Sequence, residues 1–202
     1  MKNFDPEDAY PTLFKTFREI LPVLLMLVRD FIQRSVAIEF KQHDVITDGE
    51  QLSEYSYFII SGLVMCYTSH ESRNLVRWIR AENDYAYSMD MFRLRFGYDP
   101  RLIGNILVAL EDTLVIRIRH EDINWLQDNS VEMGLIVNTL MTAHSILDQA
   151  IPHIHMLAPL DRYKQMQKRV SYDLSRVPDI YLASYLDITL SELKTVRESI
   201  QQ

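Results

Sequence analysis

Val177-Pro-Asp-Ile-Tyr-Leu-Ala-Ser-Tyr-Leu-Asp-Ile-Thr-Leu-Ser-Glu-Leu-Lys-Thr-Val-Arg-Glu-Ser-Ile200 reads as two short helices around a tight turn. Pro178 suits the start of the first helix, where a missing N–H is harmless. Leu182, Ala183 and Leu186 share one helical face, and Ala183 is small where two helices must cross closely. Asp187 stands at the turn, where a left-handed backbone is needed and Asp tolerates it. Ile188 plugs the turn. Thr189 or Ser191 caps the second helix, with Glu192 as the capping-box partner. Leu193, Val196 and Ile200 recur at three- and four-residue steps, so that helix buries one face and exposes Ser191, Lys194, Thr195, Arg197 and Glu198. The pattern is a helix-turn-helix, whose second helix lies in the DNA major groove. An ordinary helical hairpin is the alternative.

The chain has 202 residues, 48% hydrophobic and 24% charged, the balance of a folded protein with a sizeable core. The single cysteine, Cys66, excludes an internal disulfide and an iron–sulfur cluster, and reads as a small buried hydrophobe. Leu21-Pro-Val-Leu-Leu-Met-Leu-Val28 is apolar but far shorter than the ~20 residues a membrane span needs. No membrane association is expected, and a cytoplasmic location is. The net charge of −7 argues against a general nucleic-acid coat protein. From Pro159 onward seven bases face six acids, so the tail carries +1 and the remainder −8. That tail is only weakly basic for a DNA-binding unit.

The period of the hydrophobic residues divides the rest. Phe14, Phe17, Ile20, Leu21, Leu24 and Leu25 predict a leading helix, kinked or restarted at Pro22. Between Ser35 and Arg119 the period becomes that of strands. Val36, Ile38 and Phe40 alternate, Tyr55 to Tyr67 is rich in β-formers, and Leu114, Ile116 and Ile118 alternate again. Leu75–Ile79 and Ile106–Leu110 are further apolar runs. From Ser130 the helical period returns. Met133, Val137, Leu140, His144, Leu147, Ile151 and Ile154 are spaced 4, 3, 4, 3, 4 and 3. That is an a/d seam, read as a dimerisation helix or as a helix packed on its own sheet, ended or kinked by Pro152.

A leading helix, a roll of strands, a dimer helix and a terminal helix-turn-helix together resemble the Crp/Fnr family of bacterial transcription regulators. Phe40-Lys-Gln-His-Asp-Val-Ile-Thr-Asp-Gly49 is similar to that family's opening strand and turn. Tyr57-Phe-Ile-Ile-Ser-Gly-Leu-Val64 is similar to its strand, glycine turn and next strand, and Ala109-Leu-Glu-Asp-Thr-Leu-Val115 to its closing strand. Val177 to Val196 resembles the terminal motif of short members. The fold so implied is α+β: a double-stranded β-helix (jelly-roll) sensor domain over residues 1–128, with N-terminal helices and like a cyclic-nucleotide-binding domain. A dimerisation helix over 129–157 and a DNA-binding domain over 158–202 complete it.

The ligand pocket departs from that family. Members that bind cyclic AMP or GMP carry a Gly-Glu pair and, further on, an Arg followed by Ser or Thr, for the ribose hydroxyl and the cyclic phosphate. Here Asn83-Asp-Tyr-Ala-Tyr-Ser-Met-Asp90 occupies that region, Tyr87 and Ser88 stand in place of Gly-Glu, and Leu102 follows Arg101. The expectation is a regulator that does not respond to cyclic AMP, with an effector of unknown identity or none. Tyr85, Tyr87, Ser88, Met89 and Arg101 are the effector-pocket candidates.

No catalytic constellation, metal site or cofactor is expected. His153 and His155 sit about 200° apart on a helix, which suits one metal poorly. His43 and His70 are isolated, unlike the paired ligands of a cupin-type enzyme. The expected partners are double-stranded DNA and a second copy of the chain. Thr189, Ser191, Glu192, Lys194, Thr195 and Arg197 are the candidate DNA contacts. The competing reading is a ligand-binding or interaction module of the same fold that has lost DNA binding, favoured by the acids Glu192 and Glu198.

Overall fold

A computed structural model describes residues 8–48, 54–70, 73–87 and 106–200. Two helices lead, α1 (Ala9–Ile20) and α2 (Leu25–Arg34). The break between them spans Pro22, which restarts the helix as the sequence predicts. Among the described residues eight strands follow: β1 (Ser35–Phe40), β2 (Val45–Thr47), β3 (Tyr55–Ser61), β4 (Val64–His70), β5 (Arg73–Arg80), β6 (Tyr85–Tyr87), β7 (Ile106–Ala109) and β8 (Thr113–Arg119). They form two four-stranded antiparallel sheets in the orders β1-β8-β3-β6 and β2-β7-β4-β5. The chain is then helical: α3 (His120–Asn129), α4 (Val131–His155), α5 (Pro159–Gln167), a 3₁₀ turn (Leu174–Arg176), α6 (Asp179–Leu186) and α7 (Leu190–Ile200).

Alternation along the strands builds three cores. Tyr57 and Ile59 of β3 face Cys66 of β4, Trp78 of β5, Leu107 of β7 and Val115 of β8 between the sheets. Cys66 is fully buried there, as read from sequence. The other side chains of β3 and β8 (Phe58, Ile60, Ile116, Ile118) meet α1, α2, α3 and the first half of α4. Phe14, Phe17, Phe31 and Phe58 pack edge-on at 5.3–5.9 Å in that layer, the geometry that aromatic quadrupoles favour.

The third core lies on the outer face of the second sheet. Leu63, Met65, Val76, Ile79 and Val108 pack against Met166, Tyr172, Leu174, Leu182, Tyr185 and Leu193 of the terminal helices. The C-terminal unit thus shares a core with the strands.

Two turns need special backbone. Gly62 joins β3 to β4 with φ +98°, and a Cβ there would lie 2.7 Å from Thr113 Cα. Asp187 joins α6 to α7 with φ 53° and ψ 50°, the left-handed turn expected from its position.

The long helix α4 faces opposite to one of its two sequence readings. Met133, His144 and Ile154 of the predicted a/d seam are buried, and Val137, Leu140, Leu147 and Ile151 are half-buried. That stripe packs on the protomer's own cores, with Ile136 and Met141 widening it. It is therefore not a free dimer seam, because the two sheets supply the apolar surface it needs. Nor does Pro152 end the helix, which continues to His155.

Candidate nucleic-acid interface and ligand cleft

The terminal pair of helices is held by local chemistry at every joint. Thr189 Oγ1 accepts from the Glu192 N–H at 3.2 Å, and a Glu192 carboxylate oxygen accepts from the Thr189 N–H at 2.8 Å. This is a complete capping box, with Thr189 and not Ser191 as the cap. The same carboxylate oxygen also accepts a hydrogen bond from the Thr189 hydroxyl at 2.8 Å. These bonds hold the Glu192 carboxyl below its ordinary range. At the other end of the turn, Arg162 Nη1 donates to the Leu186 carbonyl at 3.1 Å and also to the Asp187 carbonyl, so it covers the free carbonyls at the end of α6.

Leu193 and Val196 are buried against α5 and α6, while Thr189, Ser191, Glu192, Lys194, Thr195 and Glu198 are exposed. The face of α7 open to a partner is thus the one expected. Arg197 is placed differently. Its Nη1 lies 2.6 Å from Asp179 Oδ1, its side chain is 29% exposed, and Nε and Nη2 are buried with no hydrogen-bond partner among the described residues.

The bases of the tail divide accordingly. Arg162, Arg176 and Arg197 are engaged within the protein, whereas Lys164, Lys168, Arg169 and Lys194 are exposed. Sequence reading counted all seven alike, because nothing in a lone Arg says whether a carbonyl or a carboxylate awaits it.

The C-terminal unit is tied to the strands by polar contacts around its shared core. Arg176 spans Glu82 and Glu111, with Nη2 2.7 Å from Glu82 Oε1. These two carboxylates push the guanidinium pKa up, Glu82 first. The Ser184 hydroxyl accepts from the Val76 N–H and donates to the Asn74 carbonyl, both at 3.1 Å, and so covers the open edge of β5. Tyr172 donates to the Ile79 carbonyl at 3.3 Å.

Between β5, the second half of α4 and α6 lies a cleft of about 440 Å³. Its walls include Leu75, Trp78, Arg80, Tyr87, Asp148, Ile151, Pro152, His155 and Ser184. Of the pocket candidates, Tyr87 lines it. Tyr85 lies behind, with its hydroxyl 2.6 Å from Ser56 Oγ, and burial raises its pKa to about 12. Ser88, Met89 and Arg101 lie outside the described residues.

Sequence reading missed two groups at this junction. Arg80 is 5% exposed, with its guanidinium carbon 4.3 Å from the Trp78 ring centre and 5.3 Å from that of Tyr87. His144 is 7% exposed, stacks beside Tyr85 and Tyr87, and bonds Asp84 through Nε2. The only signal in the sequence was a histidine on an otherwise apolar stripe. Among the described residues no group of three or more His, Cys, Asp or Glu is arranged to hold a metal ion, and no helix is long and apolar enough to cross a membrane.

No protein-family profile and no curated protein sequence matches the chain. Solved structures do. FixK2 from Bradyrhizobium japonicum superposes with a TM-score of 0.64 at 13% identity, over 83% of this chain and 84% of that one. A candidate transcriptional regulator of the Crp/Fnr family from Eubacterium rectale also gives 0.64, at 12% identity, over 89% and 84%. A cyclic nucleotide-binding domain from Methylobacillus flagellatus gives 0.55 at 12% identity, over 83% and 88%. At such identities the likeness is one of fold: mixed helices and antiparallel sheets, arranged as in cyclic-nucleotide-binding proteins.

Proposed function

We propose that the chain is a homodimeric, DNA-binding transcription regulator of the Crp/Fnr type, one that does not work through cyclic AMP. The observation that carries this reading is the α6–α7 pair. A left-handed turn at Asp187, a full capping box on Thr189 and a buried Leu193–Val196 face leave Ser191, Lys194 and Thr195 on one open face. That is the arrangement a helix-turn-helix needs to place side chains in a major groove. The strand orders 1-8-3-6 and 2-7-4-5 support a double-stranded β-helix as the sensor part. In this reading residues 1–128 form that part, 129–157 the dimer helix and 158–202 the DNA-binding part.

The dimer seam in this proposal sits two residues along from the stripe predicted. Leu135, Thr139, Thr142, Ile146, Gln149 and His153 are all exposed and spaced 4, 3, 4, 3 and 4. Leu135 is 51% and Ile146 65% exposed. Between Glu132 and Asp148 the helix carries no acid, Lys or Arg. An uncharged open stripe with a heptad step fits a second copy of the same helix. It also supplies the two-fold symmetry that paired half-sites require.

The competing reading is a ligand-binding or interaction module that has lost DNA binding. The internal engagement of Glu192 and Arg197 favours it, since both are withdrawn from base or phosphate contact. Selection of bound sequences from a random duplex pool, followed by gel shift, separates the two. Recovery of a two-fold sequence supports the regulator. Failure to enrich any sequence at low salt, with the dimer intact, leaves the module.

A further inference from the structure

Arg80 presents a problem that the fold alone does not resolve. Its guanidinium is always ionised, and removing it from water is costly unless a counter-charge repays the loss. Among the described residues no ion pair involves it. Its Nη1 donates to the Tyr85 carbonyl, and its flat face rests near Trp78 and Tyr87. The Asp84 carboxylate is within electrostatic reach of Arg80 but makes its hydrogen bonds to His144 and the Tyr85 N–H, so the guanidinium has no direct ionic partner among the described residues. Of the ionised residues in the cleft wall, Arg77, Asp148 and Asp187 are exposed, and Arg80 alone is buried. Exposed charges are screened by water and salt, so Arg80 is the least screened charge in that wall.

The cleft also has apolar walls in Leu75, Ile151 and Pro152, and its 440 Å³ is of small-molecule size.

We propose that this cleft binds a small organic anion, with a carboxylate or phosphate head on Arg80 and an apolar body against Ile151 and Pro152. The planar guanidinium offers paired donors that match either head group. The occupant touches β5, α4 and Ser184 of α6 together, so it braces the C-terminal unit against the strands. Its effect on DNA affinity rests on the regulator reading; its binding does not.

Calorimetric titration of the full chain tests this with four probes: phenyl phosphate, phenylacetate, the neutral phenylacetamide and inorganic phosphate. At least one of the two organic anions should bind. The amide should bind roughly tenfold or more weakly than that anion, as expected for loss of a charge-assisted pair. Arg80→Met should erase the difference. Because loss of a buried side chain can unfold the protein, Leu75→Glu provides a second variant. Leu75 is 52% exposed, so the change keeps the fold while setting a negative charge at the mouth of the cleft. It should weaken the anions at least several-fold more than the amide, which loses the apolar contact but has no charge to repel. Equal binding of anion and amide, inorganic phosphate as tight as phenyl phosphate, anion binding untouched by Leu75→Glu, or no binding by any probe overturns the proposal. Anion binding without any DNA binding would sink the regulator reading and leave this site standing.

Discussion

Arg176 Nη2 sits 2.7 Å from Glu82 Oε1 across 94 residues of chain, and the same guanidinium also reaches Glu111. One side chain from the segment before α6 thus clasps two carboxylates at the end of the strands. All three groups are about a third exposed, so screening limits what the contact is worth. A bidentate network of this kind contributes about 1–2 kcal/mol. Arg176→Gln should therefore lower the urea midpoint. Amide exchange should quicken in α5 and α6 before it quickens in β3 or β8. Uniform quickening throughout the chain would show that the clasp does not hold the C-terminal unit in particular.

Acid should weaken the same junction. Burial alone pushes the Glu82 carboxyl up, but the hydrogen bond and charge of Arg176 outweigh it and leave the group below its ordinary 4.5. At Asp84 burial again raises, and the bond and charge of His144, with Arg80, outweigh it to leave the group below 3.8. A depressed folded-state pKa gives stability that is complete above the unfolded value and lost as pH falls through the folded one. The urea midpoint should hold above roughly pH 5 and drop below roughly pH 4. The double variant Glu82→Gln with Asp84→Asn should start lower and decline less over that window. Parallel declines would assign the acid sensitivity elsewhere.

Gly62 should tolerate no side chain. A Cβ there would sit 2.7 Å from Thr113 Cα and 2.8 Å from the Asp112 carbonyl oxygen, both backbone atoms that cannot step aside. The positive φ adds its own cost for an L-residue. Together these put Gly62→Ala at about 2–5 kcal/mol, enough to remove much of a domain's stability. Thermal unfolding would check it. A loss under about 0.5 kcal/mol, the level of an ordinary surface change, would show that the β3–β4 turn relaxes.

The strands and the Asp187 turn were legible because local chemistry decides them: alternation, β-branching, and a backbone angle that few residues accept; the Gly62 turn was legible through the family resemblance. The direction of α4 was not. Its apolar stripe runs from Met133 through Leu140 and Leu147 to Ile154, and that spacing reads the same whether a sheet or a second helix covers it. The sheets that cover it are assembled by long-range pairing such as β1 with β8. Arg80 and His144 were missed for the same reason. Each is unremarkable in its own segment and becomes a cleft or buried group only when β5, β6 and α4 converge. Arg197 reads as a free base until Asp179, eighteen positions earlier, is seen across the helix pair.

Thr189 should matter to the fold of the reading helix before it matters to DNA. Its hydroxyl accepts the Glu192 N–H and its own N–H is taken by the Glu192 carboxylate. Thr189→Ala removes the first bond and should cost about 1 kcal/mol. Thr189→Ser keeps both the acceptor for the Glu192 N–H and the hydroxyl donor to the Glu192 carboxylate, so its stability should return toward that of the parent. If Ala and Ser behave alike in urea, the cap is not what orders the start of α7.

Lys194 and Ile146 separate the two halves of the regulator proposal. Lys194 is exposed on α7 and carries a positive charge free of carboxylates among the described ion pairs. Lys194→Ala should leave the dimer intact, weaken DNA binding and reduce the salt slope by about 1, the signature of one lost phosphate contact. Ile146, 65% exposed in the middle of α4, touches neither DNA nor the core in the proposed assembly. Ile146→Glu places a charge opposite its own copy in a two-fold seam, where desolvation and repulsion act together. It should yield monomers by sedimentation, with thermal stability no longer dependent on protein concentration, and should abolish binding to a paired site while a single half-site is still bound weakly. A dimer that survives Ile146→Glu would move the interface off this face of α4. A monomer that still binds the paired site at full strength would remove the need for a dimer.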